Sequence, residues 1–401
     1  MRILFLSPRQ CWPVRSGAKL REYHFARALG ERGELTYVYF QDPGAEPLTQ
    51  RELPFCKEIV AVPKPGVYTP WQITQGALGS WPLPILNYTN PAMDAAVQRV
   101  LSVEKFDVIH ADSIHMIRYA RVAHTTGGGQ VVYNWHNIES EAMSRFAETV
   151  ESVPKQWYAR QTATKLERLE REMLPEALGH IVCSVREREQ LLEWSPDARI
   201  HVAENGVDTE YFSGAGSRKD GLRLVFVGSM DYFPNVDAAT SFTREVWPRL
   251  RQKIPNAELE IVGAKPTAEV QALASIEGVT VTGTVPDVRP YYGGALVAVV
   301  PLRTGGGTRL KILEAMAAGT PVISTELGAE GLAVTAGSDI LLAAAGDADA
   351  WIGHVLELAA NERLRSSMVT AARRLVEERY DWNRIGARLA ETYGRWLRGE
   401  R

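Results

Sequence analysis

The sequence predicts an α/β protein built from two successive parallel-sheet domains. Two observations predict it. Short β-branched runs alternate with helical stretches through the first half of the chain, and a polar, glycine-containing stretch at 208–221 is followed by a fresh start of the same alternation. Strands separated by helices imply βαβ units and a parallel sheet in each half.

The elements follow in order. Residues 3–6 form a short apolar strand, the loop 7–16 holds Pro8 and Pro13, and Gly17 opens a helix with Leu20, Tyr23, Phe25, Ala26 and Leu29 apolar. Residues 35–40 alternate as a strand, and 58–62, 106–110 (FDVIH), 130–133 (QVVY) and 181–184 (IVCS) are further strands. Residues 68–90 break the pattern, with Trp71, Trp81, Leu83, Ile85, Leu86, three prolines and no charged side chain. The plain reading is an irregular loop packed on its own domain; the functional one is an acceptor-binding or membrane-touching insertion. Residues 151–178 read as a long helix whose Arg160, Lys165, Arg168 and Arg171 make a solvated face. The second half gives strands at 222–227, 258–262, 279–281, 295–300 and 340–344, with helices over 237–253 and 267–274. A final helix at 380–397 carries Trp382, Ile385, Leu389, Tyr393 and Trp396 on its apolar side. In such folds ligands sit outside the carboxyl ends of the strands.

Bulk properties narrow the function. A chain of 401 residues suggests two or three domains, and 45% hydrophobic residues supply buried cores. The net charge of −3 without a polybasic block argues against nucleic acid as a partner. Cys11, Cys56 and Cys183 are scattered and odd in number, which fits a reducing cytoplasm without disulfides. The apolar run before Ser7 and Pro8 is too short for a signal-peptide core and reads as the first strand. No stretch of about 18 apolar residues crosses a membrane.

Residues 301–332, PLRTGGGTRLKILEAMAAGTPVISTELGAEGL, carry the most chemistry. Three glycines run into an amphipathic helix bearing Arg309, Lys311 and Glu314. Glycine lets backbone approach a ligand, and a helix N-terminus offers N–H donors to an anion. Cations at that end oppose the helix dipole, and a bound diphosphate would account for them. Gly307, Lys311 and Glu314 share one face, while Ile312, Leu313, Met316 and Ala317 form the other. A carboxylate one turn beyond the cation suits two neighbouring hydroxyls, as in a nucleotide ribose. From spacing alone a solvated exposed helix is an equally ordinary reading.

Other motifs are absent. No GxGxxG follows the first strand, and neither GxxxxGK[ST] nor GxSxG occurs. Asp347 and Asp349 have a D-x-D spacing, but Asp347 precedes a helix, where capping is the ordinary job of aspartate. His136 and Glu139 lie close together without a further histidine or cysteine to complete a metal site.

The segment 301–332 closely resembles the donor-binding segment of the retaining glycosyltransferases of family 4, which have the GT-B fold. The likeness extends to ENGVD at 204–208, LVFVGSMDYFPN at 224–235, VWP at 246–248, IVG at 261–263 and the aromatic start of the last helix at 380–382. It implies two Rossmann-like α/β/α domains facing each other across a cleft: an acceptor-side domain at 1–208, a nucleotide-sugar-binding domain at 209–379, and a helix at 380–401 returning to the first domain. It implies donor-binding roles for Gly17, Gly228, Ser229, Gly306, Gly307, Thr308, Leu310 and Glu314. Glu314 matches the second glutamate of the family's E-x7-E motif, which binds the donor ribose. Arg309 and Lys311 are expected to neutralise the diphosphate leaving group. This chain departs from the family in two places. Gly306 stands where the first glutamate would be, and Ser229 and Asn235 lie where an Arg and a Lys usually follow the strand.

His110, Asp112 and His136 are the first-domain candidates. The family often carries an active-site histidine at the end of that strand, and here either Asp112 or His136 takes the place, against the ordinary reading of a structural histidine. Ser16 and Lys19 are either substrate contacts or a cap and a solvated charge. The expected activity is transfer of a hexosyl group from a UDP- or GDP-sugar to an acceptor hydroxyl with retention, with the sugar nucleotide as substrate and no metal or other cofactor. Expected acceptors are a saccharide, a glycolipid or a small molecule. The expected location is cytoplasmic, with peripheral contact to the inner membrane as an option. A sugar-nucleotide epimerase of the same fold and a non-catalytic sugar-nucleotide-binding protein are the competing readings.

Overall fold

Seven parallel strands build the first sheet of the computed structural model, which describes every residue except 15, 65, 67, 216–220, 306–308 and 401. They are β1 (Arg2–Ser7), β2 (Glu34–Gln41), β3 (Glu58–Pro63), β4 (Val108–Asp112), β5 (Gln130–Asn134), β6 (Gly179–Val182) and β7 (Ile200–Val202). Their order is β3-β2-β1-β4-β5-β6-β7. The order reverses between β1 and β4, where Phe5 lies beside His110 and Leu6 beside Ala111. Ile3, Leu4, Phe5 and Leu6 are all fully buried, because a parallel sheet covered by helices on both faces needs continuous apolar strands rather than alternating ones.

This first compact unit comprises Met1–Glu204 and Ile385–Arg401. The helix Gly17–Gly30 joins β1 to β2, with Ser16 as its cap. Tyr393, on the C-terminal helix, hydrogen-bonds His110, and the absence of a side chain at Gly179 makes room for the Trp396 ring.

Residues 68–90 correct the expectation of an irregular loop: they form the helices Pro70–Leu78 and Leu83–Asn87. The physical reason is in the residues. Thr69 and Gln72 make a reciprocal capping box with Pro70 at the first helical position, so the turn is satisfied at its start. At its end the ammonium of Lys165 hydrogen-bonds the carbonyls of Gly76, Ala77 and Gly79 at 2.7, 3.0 and 2.7 Å. A cation on the last carbonyls complements the helix dipole. Lys165 thus anchors this helix and is not part of a solvated face.

The second unit, Asn205–Arg384, has six parallel strands. They are β8 (Arg223–Val227), β9 (Glu258–Val262), β10 (Val279–Gly283), β11 (Val297–Val300), β12 (Val322–Ser324) and β13 (Leu341–Leu342), in the order β10-β9-β8-β11-β12-β13. The reversal falls between β8 and β11. Trp247 and Trp351 are fully buried in its core, and each indole N–H finds a carbonyl, of Glu277 at 3.0 Å and of Ala344 at 2.9 Å. The stretch expected as a linker begins with a short helix, Thr209–Ser213, capped by Asp208.

At the end of β9 the chain passes so close to the end of β8 that a Cβ on Gly263 would overlap the carbonyl oxygen of Gly228. Gly263 also has φ +151, outside the range of ordinary side-chain-bearing residues. Replacing it by alanine should cost at least ~2 kcal/mol, read as a lowered urea midpoint with an unchanged slope.

Candidate functional site

Polar side chains gather at the carboxyl end of each sheet, at the point where strand order reverses. This is where loops from neighbouring strands diverge and leave an opening.

In the second unit the site begins with the helix Leu310–Ala317, which follows β11. Ile312, Leu313, Ala315, Met316 and Ala317 are buried in the core, so Lys311 and Glu314 share the partly exposed face. Lys311 reaches across to the end of β8. Its Nζ lies 4.5 Å above the Phe226 ring and donates to Asn235 Oδ1 at 2.6 Å. Asn235 Nδ2 in turn donates to the Ser229 carbonyl at 2.9 Å. Gly228 completes the cradle, since a Cβ there would stand 3.0 Å from Nζ. Glu314 Oε2 accepts from the Tyr292 hydroxyl at 3.1 Å.

Burial pushes the Lys311 ammonium down from 10.5 to about 7, against the pull of Glu314 and helped by Arg309. Burial pushes Glu314 up, against the Tyr292 hydrogen bond and the Lys311 charge. Both groups are therefore short of countercharge, and an anion at Lys311 would restore its full protonation.

The remaining expected residues are placed as follows. Arg309 precedes the helix; it is 5% exposed, donates to the Gly305 carbonyl at 3.0 Å and lies 3.7 Å from Glu330. Burial lowers its pKa, with Glu330 opposing. Leu310 opens the helix and is half-buried. Ser229 bonds Asp231 at 2.6 Å, and Asp231 pairs with Lys265. Gly306, Gly307 and Thr308 lie outside the described residues. Asp347 caps its helix through the Ala350 N–H, and Asp349 pairs with Arg249, so each carboxylate of the D-x-D spacing has its own partner.

In the first unit, Asp112 at the end of β4 is the centre of a buried network. His136 Nε2 meets Asp112 Oδ2 at 2.8 Å, and Asn134 Nδ2 donates to Oδ1 at 2.5 Å. His110 is fully buried; Nδ1 meets the Tyr393 hydroxyl at 2.6 Å, its ring stacks on Phe5, and Nε2 lies 3.6 Å from Asp112, beyond hydrogen-bond reach. His136, with a side chain 10% exposed, is the one of the two that reaches solvent. Burial works to raise the Asp112 pKa, but the neighbouring His136 and His110 outweigh it and hold the carboxyl well below its ordinary value. Ser113 follows with φ 96, an uncommon conformation for a non-glycine residue that turns the chain immediately after Asp112.

Several members of this network were not read from the sequence. Glu22 is fully buried, accepts from the Ser7 and Tyr37 hydroxyls, and lies 3.6 Å from Arg9 Nε. Burial, then the Asp112 charge, push its carboxyl well above the usual range. Gly17 heads the helix that carries Arg21 and Glu22. Ser16 caps that helix, and Lys19 pairs with Asp42 at 3.1 Å, so both have structural partners.

Residues 16–211 match the family described as Glycosyltransferase Family 4, and residues 221–361 match Glycosyl transferases group 1. A phosphatidyl-myo-inositol mannosyltransferase of Mycobacterium leprae is 24% identical over 312 residues, 76% of this chain and 77% of that protein. A GDP-mannose-dependent alpha-(1-6)-phosphatidylinositol monomannoside mannosyltransferase of Mycolicibacterium smegmatis is 32% identical over 157 residues, 36% of this chain and 41% of that protein. Among solved structures, a sucrose-phosphate synthase from Thermosynechococcus elongatus superimposes with a TM-score of 0.70 at 18% identity over the whole of both chains. Anabaena HepE, in complex with UDP and glucose, does so with a TM-score of 0.64 at 16% identity, covering 98% of this chain and 99% of that one. Two parallel-sheet domains of this kind define the GT-B class of glycosyltransferases. The chain belongs to glycosyltransferase family 4 and is a hexosyltransferase.

The lowered pKa of Lys311 has a consequence for stability. The unfolded chain binds more protons than the folded one between about pH 7 and 10.5, so this group's contribution to stability grows as pH rises through that window. Lys311→Met should therefore gain stability relative to the parent at pH 6.5 and lose that advantage by pH 9.5, as read from paired urea midpoints.

Proposed function

We propose that the enzyme transfers a hexosyl group from a nucleoside diphosphate sugar, UDP- or GDP-linked, to an acceptor hydroxyl with retention of configuration. The observation that carries this reading is the cluster of Lys311, Asn235 and Gly228 at the β8–β11 reversal, with Glu314 and Tyr292 one helical turn away. A buried ammonium short of countercharge in a glycine-walled cradle suits a diphosphate, and a carboxylate at that spacing suits the ribose hydroxyls. Relatives named as mannosyltransferases, one of them GDP-mannose-dependent, support a hexosyl donor and make GDP-mannose the first to try.

The barrier lies in departure of the diphosphate from an oxocarbenium-like carbon. Lys311 and Arg309 stabilise the charge that grows on the leaving phosphate. The acceptor oxygen attacks on the face the phosphate leaves, and the phosphate oxygen takes its proton, so no carboxylate nucleophile is required. No metal or other cofactor enters this scheme. Gly306 supplies no carboxylate to the transferred sugar, whose grip falls to backbone N–H groups and other side chains.

For the acceptor we propose a lipid-linked or polysaccharide precursor, reached through peripheral contact with a membrane. Trp71 and Leu78 are 68% and 85% exposed on the helix Pro70–Leu78, and Trp157 is 59% exposed on the neighbouring helix. No helix among the described residues is long and apolar enough to cross a membrane. Exposed tryptophans of this kind suit the interface of a bilayer.

Lys311→Met and Glu314→Gln should each lower kcat/KM by about 10²–10³-fold while leaving the fold intact by circular dichroism; unchanged rates in both would overturn the assignment. Nucleotide release should require added acceptor, which an epimerase would not need. Sedimentation with phospholipid vesicles should fall in Trp71→Ser/Leu78→Ser, and equal sedimentation of parent and variant would remove the membrane proposal.

A further inference from the structure

Arg21 and Asn134 lie behind Asp112, fully buried and out of reach of any substrate. Their hydrogen bonds have a direction. Arg21 Nε and Nη2 both donate to Asn134 Oδ1, at 3.0 and 2.8 Å, and Nη1 donates to the Ala203 carbonyl at 2.5 Å. Two donors on the amide oxygen fix which end of Asn134 faces which way, so its NH2 must point at Asp112. Asp112 then has one oxygen taken by Asn134 and offers the other to His136 Nε2. An ionised carboxylate only accepts, so Nε2 carries a proton, and in the neutral ring Nδ1 then presents its lone pair. His136 Nδ1 has no hydrogen-bond partner among the described residues, whereas both nitrogens of His110 are enclosed by its own unit. The charged and titratable groups around His136 are Asp112, His110 and His115, with Arg9 beside the latter.

We infer that Arg21 and Asn134 are positioning residues: acting through Asp112, they hold His136 in the Nε2–H tautomer with Nδ1 aimed outward as the hydrogen-bond acceptor for a sugar hydroxyl. The residues come from three separate segments, the first helix, the end of β4 and the end of β5 with the turn that follows. A core staple would need only shape and satisfied bonds. This chain of contacts also sets a polarity, from the guanidinium through an amide and a carboxylate to one ring nitrogen. A buried guanidinium is costly to desolvate, and apolar side chains of similar volume are often the more stable filling. That the hydroxyl belongs to a sugar rests on the transferase reading; the tautomer does not.

The test uses the full-length chain labelled with 15N-histidine. Long-range 1H–15N spectra report the tautomer of each ring, and loss of one pattern in His136→Gln identifies His136. The expected parent pattern is Nε2–H. Asn134→Asp keeps the shape but removes the NH2 donor; Arg21→Lys keeps the charge but removes the paired N–H donors. Each should convert His136 to a tautomer mixture and lower kcat at least ~10-fold with the donor KM within about twofold. Asp112→Asn serves as a third variant if either fails to fold, and should shift the ring toward Nδ1–H. An Nδ1–H parent, or an unchanged His136 pattern in the folded variants even with reduced activity, would overturn the inference. Absence of turnover with every sugar nucleotide, alongside the expected tautomer, would instead count against the transferase reading alone.

Discussion

The reversal of strand order in each parallel sheet is the constraint on which the rest depends. Crossover connections between parallel strands run right-handed, so loops on either side of β1–β4 and of β8–β11 leave in opposite directions. The backbone there has no neighbour to cover it, and side chains at the strand ends meet in a partly open space. Several of the groups described above come from these places or from the strand beside them: Asp112 closes β4, Asn134 closes the adjacent β5, Gly228 follows β8, and Lys311 lies on the helix after β11. Most strand interiors are apolar and buried, and much of the polar chemistry collects at the strand ends.

Charge is handled differently in the two units. In the first, Asp112 is enclosed by donors from Asn134 and His136, one on each carboxylate oxygen. Such a network rigidifies what it holds. Glu22 is its counterpart, its carboxyl pushed above the usual range by burial and by the Asp112 charge, with Arg9 opposing. In the second unit, Lys311 and Glu314 are each displaced toward their neutral forms by burial, opposed by their attraction for each other and, at Glu314, by the Tyr292 hydroxyl. A site of this second kind gains more from a charged ligand than a satisfied one does, because the ligand supplies interactions that the protein lacks.

Much of this was legible in the sequence, and the illegible part has physical reasons. β-branched runs marked most of the strands. The three-residue β7 is too short to carry a period, and the capping box at Thr69 was outweighed by the prolines and glycines around it. Lys311 and Glu314 were legible because i and i+3 on a helix share a face. Their contacts with Tyr292 and Asn235 were not, since those residues stand 22 and 76 positions from the groups they hold. Arg21 and Glu22 look like ordinary solvated residues of a surface helix; only the fold shows that both are buried, with Arg21 meeting a residue 113 positions away.

The two departures from the family pattern have different structural meanings. The cations usually found after the first strand of the second domain are absent, yet a cation is present at that spot. Lys311 Nζ lies over Phe226, within β8, and bonds Asn235 in the turn after it. The charge has been supplied from the helix after β11 to the loop after β8, where a Cβ on residue 228 would crowd both Asn235 and the ammonium. A phosphate placed there would meet one ammonium with a soft pKa in place of two fixed cations, so its binding would carry a proton with it near neutral pH. Among the described residues around Lys311, no second carboxylate stands in for the one missing at Gly306; Glu314, whose Oε2 accepts from Tyr292, is the one there. The leaving-group end of the proposed donor is therefore re-engineered within one unit, while recognition of the transferred sugar is left to groups outside the Lys311 cluster.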